Sequence, residues 1–521
     1  MSAVEQSASP PPPPEVTVAR MSKRFGTLVA LDDVSIRFEA GAFHALLGEN
    51  GAGKSTLVKC IMGYYHADAG SIRVDGRERR IASPRHAHRL GLGMVYQHFT
   101  LVPSMTVAEN LVLGEEHLPA VINWRRYEAR LEALMAPMPF SLALDRPVAS
   151  LAAGEKQKLE ILKQLYLGSR FLILDEPTSV LTPDEADELL GFMRQMADEC
   201  RISVILITHK LREVEAYARD VSVLRHGRLV GQGSVQDLGH GDMVQMMIGT
   251  DSISPPAART RGAPGHVALQ VQNLSVRNDK GLTAISAVSL SVNAGEIVGI
   301  AGVSGNGQTE FVEALAGQRV EEAGEIRVDG KPYARTRREM HSLGVYLLPE
   351  EPLANGCVRN MSVAENLALR TFDRAANTVA GYFVHRAAMR EQARRLIQQF
   401  KIKTQGPDAR IETLSGGNIQ RTVLARELSE KVQVLIVQNP CFGLDLNAVA
   451  EIRNRIMEAR NDGAAVLLIS EDLDEIMELA DRIVVMFEGR ITYETLREEA
   501  DIQVIGRHMA SSVEEGVQAH G

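Results

Sequence analysis

Gly48-Glu49-Asn50-Gly51-Ala52-Gly53-Lys54-Ser55 follows the apolar run Phe43-His44-Ala45-Leu46-Leu47 and leads into a helix-compatible stretch, Thr56 to Met62. A strand, a glycine loop ending in lysine and serine, and then a helix form a cradle for phosphate. The glycines let the backbone approach the anion, and the unpaired N–H groups of the first helical turn point at it. Lys54 supplies charge, the N–H groups of residues 50–56 line the cradle, including Thr56, and Ser55 offers a hydroxyl to Mg²⁺. A second loop keeps the spacing: Gly302-Val303-Ser304-Gly305-Asn306-Gly307-Gln308-Thr309, with glutamine in place of the lysine. One chain thus carries two cradles of unequal chemistry.

The two loops belong to a repeat. Gly70-Ser71-Ile72-Arg73-Val74-Asp75-Gly76 recurs as Gly324-Glu325-Ile326-Arg327-Val328-Asp329-Gly330. Likewise Met105-Thr106-Val107-Ala108-Glu109-Asn110-Leu111 recurs as Met361-Ser362-Val363-Ala364-Glu365-Asn366-Leu367. Matches in the same order, at an offset drifting from about 254 to about 263 residues, indicate a tandem duplication of one domain. The expected division is a proline-rich leader at 1–14, a first domain at 15–250, a linker rich in Pro, Gly, Ser and Ala at 251–266, a second domain at 267–507 and a polar tail at 508–521. Short continuous apolar runs, Phe171 to Leu174 and Val204 to Ile207, suit strands buried on both faces. The fold class is α/β, with a mostly parallel sheet flanked by helices in each half.

Composition narrows the function. The chain has 521 residues, 45% of them hydrophobic and 24% charged, room enough for two ordinary domains. A net charge of −9 argues against sequence-independent nucleic-acid binding, which needs a basic face. No stretch approaches the roughly 18–20 apolar residues of a membrane span. Cys60, Cys200, Cys357 and Cys441 are widely spaced and suit reduced thiols of a cytosolic protein.

The first half carries the remaining chemistry. Asp175-Glu176 ends an apolar strand, placing Asp175 to hold Mg²⁺ through water and Glu176 to polarise an attacking water. His209 follows the Val204–Ile207 run and can contact a terminal phosphate or position water. Gln97, in Met94-Val95-Tyr96-Gln97, can reach Mg²⁺, and Phe25 can stack on a base.

This order of motifs resembles an ABC-transporter ATPase domain: the loop at 48–55, Gln97, Leu151-Ala152-Ala153-Gly154-Glu155, Asp175-Glu176-Pro177 and His209. In the second half, Leu414-Ser415-Gly416-Gly417-Asn418 is similar to the family signature. The resemblance covers roughly residues 15–507 and implies ATP and Mg²⁺ as ligands. It also implies domains with a helical subdomain that close head-to-tail, one domain's phosphate loop against the other's signature. Lys54, Ser55, Asp175, Glu176 and His209 would then work with Ser415, Gly416 and Gly417. The opposite site would join Gly302, Gly305, Gly307, Gln308, Thr309, Gln438, Asn439 and Glu471 to a signature in which Ala152 has no hydroxyl. There, Lys54 is replaced by Gln308, Asp175-Glu176 by Gln438-Asn439, His209 by Glu471, Gln97 by Glu350, and the Phe25 region by Arg277-Asn278-Asp279. One competent and one degenerate site are expected.

Two fused ATPase domains without a membrane domain resemble the ATP-binding subunit of bacterial importers for simple sugars and nucleosides. Met94 to Pro103, Gly299 to Gln308 and Ser470 to Glu475 look like the nucleoside branch, whereas Asn439 departs from its usual pattern. The resemblance implies two transmembrane permease subunits, an extracytoplasmic binding protein and a peripheral place on the cytoplasmic face of the inner membrane. A monosaccharide importer of ribose or galactose type is the alternative within the family. A soluble twin-ATPase of translation, acting on ribosomes, is the alternative from another class. Such proteins usually keep both sites and carry a long charged helical linker, neither of which is found here.

Overall fold

The computed structural model describes residues 12–26, 28–97, 99–115, 118–119, 121–208, 210–248, 258–260, 265–379, 383–442, 444 and 446–510. The chain divides into two compact units, Met1–Ser252 and Ile253–Gly521.

Each unit has a six-stranded sheet built in the same order. In the first, the neighbours run Leu92–Val95, Phe171–Asp175, Ser203–Ile207, Phe43–Leu47, Asp220–Arg225 and Arg228–Ser234. In the second, they run Val345–Leu348, Val434–Gln438, Ala465–Ser470, Ile297–Ala301, Arg482–Phe487 and Arg490–Leu496. Five strands are parallel, and the edge strand at the carboxyl-terminal side pairs antiparallel. The central strands are buried along their whole length, which is why they read as unbroken apolar runs rather than alternations. The loops after their C-terminal ends carry the candidate chemistry, the usual place for a ligand in an open parallel sheet.

A second, antiparallel sheet accompanies each of these. Val16–Phe25 lies between Leu28–Phe38 and Ala69–Val74 in the first unit, and Val267–Arg277 lies between Thr283–Asn293 and Glu321–Val328 in the second. The reading as parallel sheets with helices did not include it. Val16, Val18, Leu31 and Ile36 from this sheet share one core with Leu46, Leu57, Val58 and Ile61 of the phosphate-loop segment, so the cradle is anchored from two layers.

The repeated sequences are repeated for local physical reasons. Asp75-Gly76 and Asp329-Gly330 both have positive φ, 54° and 71° against 49° and 72°, and close two-residue hairpins between Val74 and Arg77 and between Val328 and Lys331. Thr106 and Glu109 form a capping box at the Val107–Val112 helix, and Ser362 and Glu365 form one at Val363–Leu367. The buried Asn110 amide accepts from Val102 N–H at 2.7 Å and donates to the Val102 and Thr106 carbonyls, both at 3.0 Å. Asn366 repeats the arrangement with Val358 and Ser362. These bonds tie the helical parts, with Trp124–Met135 and Ala153–Tyr166 in the first unit and Arg386–Gln399 and Gly416–Glu427 in the second, to the segments entering them.

Two expected boundaries shift. Pro13 and Pro14, assigned to the leader, are buried, and the Pro12 carbonyl accepts from Arg170 at 2.5 Å. Proline has no N–H to leave unsatisfied, so packing it there costs little. Within the expected linker, Arg259 donates to the Leu479 and Ala480 carbonyls at the end of the Leu473–Leu479 helix and pairs with Asp481. Residues 258–260 therefore belong to the second unit. The remainder of the leader, most of the linker and tail residues 511–521 lie outside the described residues.

Asn110→Ala removes three buried hydrogen bonds and is expected to cost about 2–3 kcal/mol, against about 1 kcal/mol for Thr106→Ala, which loses one cap. Urea denaturation of the two variants checks the ranking.

Candidate functional site

The first cradle begins where the Phe43–Leu47 strand ends. Gly48 has a φ of 146°, and a Cβ there would stand 2.3 Å from the Leu224 carbonyl oxygen, so the loop turns tightly against the neighbouring strand. Gly53, in the left-handed region, precedes the Lys54–Ile61 helix, while Gly51 and Asn50 are exposed at the loop's outer edge. Lys54 folds back over the loop. Its Nζ donates to the Gly48 carbonyl at 2.6 Å and to the Glu49 carbonyl at 3.1 Å. Ser55 is exposed and Thr56 half-buried at the helix start.

The two carboxylates reach this cradle from the Phe171–Asp175 strand. Glu176 takes a left-handed conformation, φ 50°, pinned by its N–H donating to the Ile207 carbonyl at 2.8 Å. Burial and the adjacent Glu176 charge push Asp175 up to about 6, against the pull of Lys54 and Lys59. Burial in turn lowers Lys54, offset by Glu176, Asp175 and Glu49. Gln97 Nε2 donates to Glu176 Oε2 at 3.0 Å, so the structure brings these two predicted residues into direct contact. The exposed Ser55 hydroxyl, the half-buried Asp175 carboxylate and the Gln97 carboxamide oxygen are hard oxygen ligands, and the crowding of Asp175 with Glu176 favours an added cation. The first cradle therefore fits Mg²⁺.

Phe25 is 42% exposed at the end of its strand. Its ring packs with Tyr65 in a T-shaped contact, centroids 5.1 Å apart, and Lys23 Nζ lies over it, 5.4 Å from the centroid. His209 lies outside the described residues. On either side of that region, the Thr178 and Thr208 hydroxyls both donate to the buried Glu213 carboxylate, Thr208 at 2.9 Å. The sequence reading missed this clamp, since a threonine and a glutamate at these spacings match no motif.

In the second unit the same positions are filled differently. Gln308 Nε2 donates to the Val303 carbonyl at 3.1 Å, a neutral version of the Lys54 contact. Gly302 keeps close quarters, since a Cβ there would meet Gln308 Nε2 at 2.2 Å, and Gly305 and Gly307 keep positive φ. Asn439 repeats the Glu176 backbone, with φ 42° and its N–H on the Ile469 carbonyl at 2.8 Å. Its Oδ1 accepts from Glu471 N–H at 2.9 Å. Gln438 Nε2 donates to Thr309 Oγ1 at 3.3 Å and to Glu350 Oε2 at 3.2 Å. The sequence comparison had taken Gln438 and Glu350 as two separate losses, whereas they are bonded partners.

The signature segments also differ. Ser415 precedes the Gly416–Glu427 helix, exposed, its Oγ accepting from Asn418 Nδ2 at 2.8 Å. A Cβ on Gly416 would meet nothing within 4 Å, and one on Gly417 would come no closer than 3.5 Å to Ala448. The surface beside both glycines is thus open to the approach of a ligand, with the exposed Ser415 hydroxyl next to it. At the corresponding place in the first unit Ala152 has no hydroxyl, and its N–H is taken by Glu155 at 2.9 Å.

Gly48→Ala is expected to destabilise the first unit by more than about 2 kcal/mol, because the added Cβ meets backbone rather than a yielding side chain. Thermal melting checks it. Glu471 gives a pH signature. Burial and then the Glu350 charge push it up to about 7 from 4.5, partly opposed by a bond from Ser304. The folded state keeps a proton that the unfolded state loses, so this contribution to stability is complete below pH 4.5 and disappears as pH rises through about 7. Glu471→Gln should therefore melt progressively higher than the parent as pH rises from 5 to 8. An unchanged difference across that range would contradict the assignment.

A family model described as ABC transporter matches residues 31–179 and again 285–441. The chain is 41% identical to the glucose import ATP-binding protein TsgD13 of Haloferax volcanii, over 95% of this chain and 96% of that protein. It is 39% identical to the ribose import ATP-binding protein RbsA 1 of Rubrobacter xylanophilus, covering 94% and 96%. It is 37% identical to the nucleoside import ATP-binding protein NupA of Lactococcus lactis, covering 93% and 97%. Among solved structures, a complex of archaeal ribosomal stalk protein aP1 and ribosome recycling factor aABCE1 matches with a TM-score of 0.60 over 92% of this chain and 90% of that one. At 19% identity the likeness speaks to the fold alone. Two matched domains and near full-length relatives lead to one conclusion: this chain belongs to the ABC transporter family, as an import ATP-binding protein with two ABC domains related to the sugar and nucleoside import ATPases.

Proposed function

We propose that the chain hydrolyses ATP at one catalytic centre, in the first unit, and uses it to drive uptake of a nucleoside. The observation that carries the single-centre reading is the pair Asp175-Glu176 beside Lys54, set against Gln438-Asn439 beside Gln308. ATP would lie with its phosphates on the N–H groups of residues 50–56 and its base against Phe25. Mg²⁺, held through Ser55, Asp175 and Gln97, would neutralise the charge developing on the phosphates. Lys54 would leave the Gly48 and Glu49 carbonyls for phosphate oxygens. Glu176, once released by Gln97, would orient and polarise the attacking water, with His209 beside the terminal phosphate. Ser415, Gly416 and Gly417 are the groups proposed to close over that phosphate, since they stand exposed or half-buried at the start of a helix, where backbone N–H groups favour an anion.

Among the described residues no helix is long and apolar enough to cross a membrane. Passage of the solute therefore falls to partners. The proposal is two transmembrane permease subunits and an extracytoplasmic binding protein, with this chain peripheral on the cytoplasmic face of the membrane. Support for a nucleoside is the likeness of residues 94–103, 299–308 and 470–475 to the nucleoside branch, together with relatives named for nucleoside and guanosine import. Relatives named for glucose and ribose import support a monosaccharide as the second reading.

Glu176→Gln should lower ATP turnover by about 10²–10⁴-fold while nucleotide still binds, whereas Asn439→Ala should leave turnover within about twofold. A steady-state phosphate-release assay decides it, and the reverse pattern would move catalysis to the second unit. Affinity capture from gently solubilised membranes should return two polytopic proteins and a binding protein, whose nucleoside and sugar affinities then fix the solute. Capture of ribosomal proteins instead would remove the transport reading.

A further inference from the structure

The two cradles differ by an exchange rather than a simple loss. In the first unit the strand end carries a carboxylate, Asp175, and the facing loop an amide, Gln97. In the second unit the strand end carries an amide, Gln438, and the facing loop a carboxylate, Glu350. The pairing positions are equivalent. Leu92–Val95 runs beside Phe171–Leu174 in the same register as Val345–Leu348 beside Val434–Val437, with Asp175 and Gln438 one position beyond and Gln97 and Glu350 two positions beyond.

We propose that the second cradle admits no divalent cation, because the Gln438 carboxamide occupies the cation's place and bridges Thr309 and Glu350. The inference rests on the ATPase reading of the first unit. Thr309 corresponds to Ser55, and Glu350 to Gln97, the groups assigned to Mg²⁺ in the first cradle. In the second, both oxygens accept hydrogen bonds from one nitrogen, at 3.3 and 3.2 Å. An NH₂ group has two hydrogens, and both are used. A carboxylate only accepts, so the nitrogen and not the oxygen of the amide must face Glu350. Mg²⁺ needs oxygen ligands at about 2.0–2.1 Å, in nearly octahedral geometry. To enter, it would have to break both bonds and leave the N–H dipoles of a buried amide aimed at a cation. Gln438 is 6% exposed, so it has little room to swing away. The amide supplies part of what the ion would supply, a positive end between two oxygens, without the ion's charge. Gln308, a neutral amide that donates to the Val303 carbonyl, adds no charge either. Any nucleotide held by the surviving glycine backbone is therefore held without a metal, which leaves its phosphates uncompensated and unreactive.

The test counts protein-bound Mn²⁺ by equilibrium dialysis of the full chain against Mn²⁺ and a non-hydrolysable ATP analogue, with electron paramagnetic resonance reporting the ion's environment. One ion per chain is expected, lost on Asp175→Asn. The double substitution Gln438→Asp and Glu350→Gln, which restores the first unit's pair, is expected to add a second ion. Two ions in the unsubstituted chain would overturn the proposal, as would a folded double variant that still binds one. No ion at all would overturn instead the ATPase reading on which the proposal rests. The unsubstituted chain alone suffices for the first of these outcomes should the double variant not fold.

Discussion

Two adjacent carboxylates facing one lysine in a half-buried cradle set the terms for this chain. Asp175 and Glu176 repel each other, and Lys54 is drawn partly onto its own loop carbonyls. Phosphate oxygens would engage the lysine, and a divalent cation would relieve the carboxylates. The contact between Gln97 and Glu176 stands between the resting arrangement and the working one. On the proposed reading, the residue that would report the cation's arrival also restrains the carboxylate assigned to polarise water.

The second unit builds the same geometry from different side chains. Its strand order, hairpins and helix caps repeat those of the first, and Asn439 holds the left-handed backbone of Glu176. What differs is the charge of the partners: neutral amides make the contacts of the second cradle, Gln438 to Thr309 and Glu350, Asn439 to Glu471 and Gln308 to Val303, where the first has Lys54, Asp175 and Glu176. Buried polar groups that are mutually satisfied rigidify a site. On the proposed reading, a duplicated fold is divided into a reactive half and a half whose contribution is the Ser415-Gly416-Gly417 helix start.

Much of this was legible in the sequence where the chemistry is local. A phosphate loop is a run of consecutive residues, the parallel strands are unbroken apolar runs such as Phe171 to Leu174, and the repeated Val-Asp-Gly and Val-Ala-Glu-Asn stretches proved to be hairpin turns and capping boxes. The antiparallel sheet was not legible. Val16–Phe25 contains several register shifts against Leu28–Phe38, which blur the alternation that marks a half-buried strand. The Gln438 bridge was not legible either, because it joins residues 88 and 129 positions apart through side-chain direction at a strand end. Substitutions read one column at a time appear as losses, and only their juxtaposition shows the exchange.

The central claim, a single catalytic centre in the first unit, is tested most directly by trapping turnover in place. The chain, purified with its membrane partners, would hydrolyse a photoreactive ATP analogue in the presence of vanadate, which captures nucleotide only at sites that cleave it. Irradiation and proteolysis then assign the label. The account predicts label in peptides from residues 15–250 and none above background from 267–507. Equal labelling of both units, or trapping in the second alone, would contradict it.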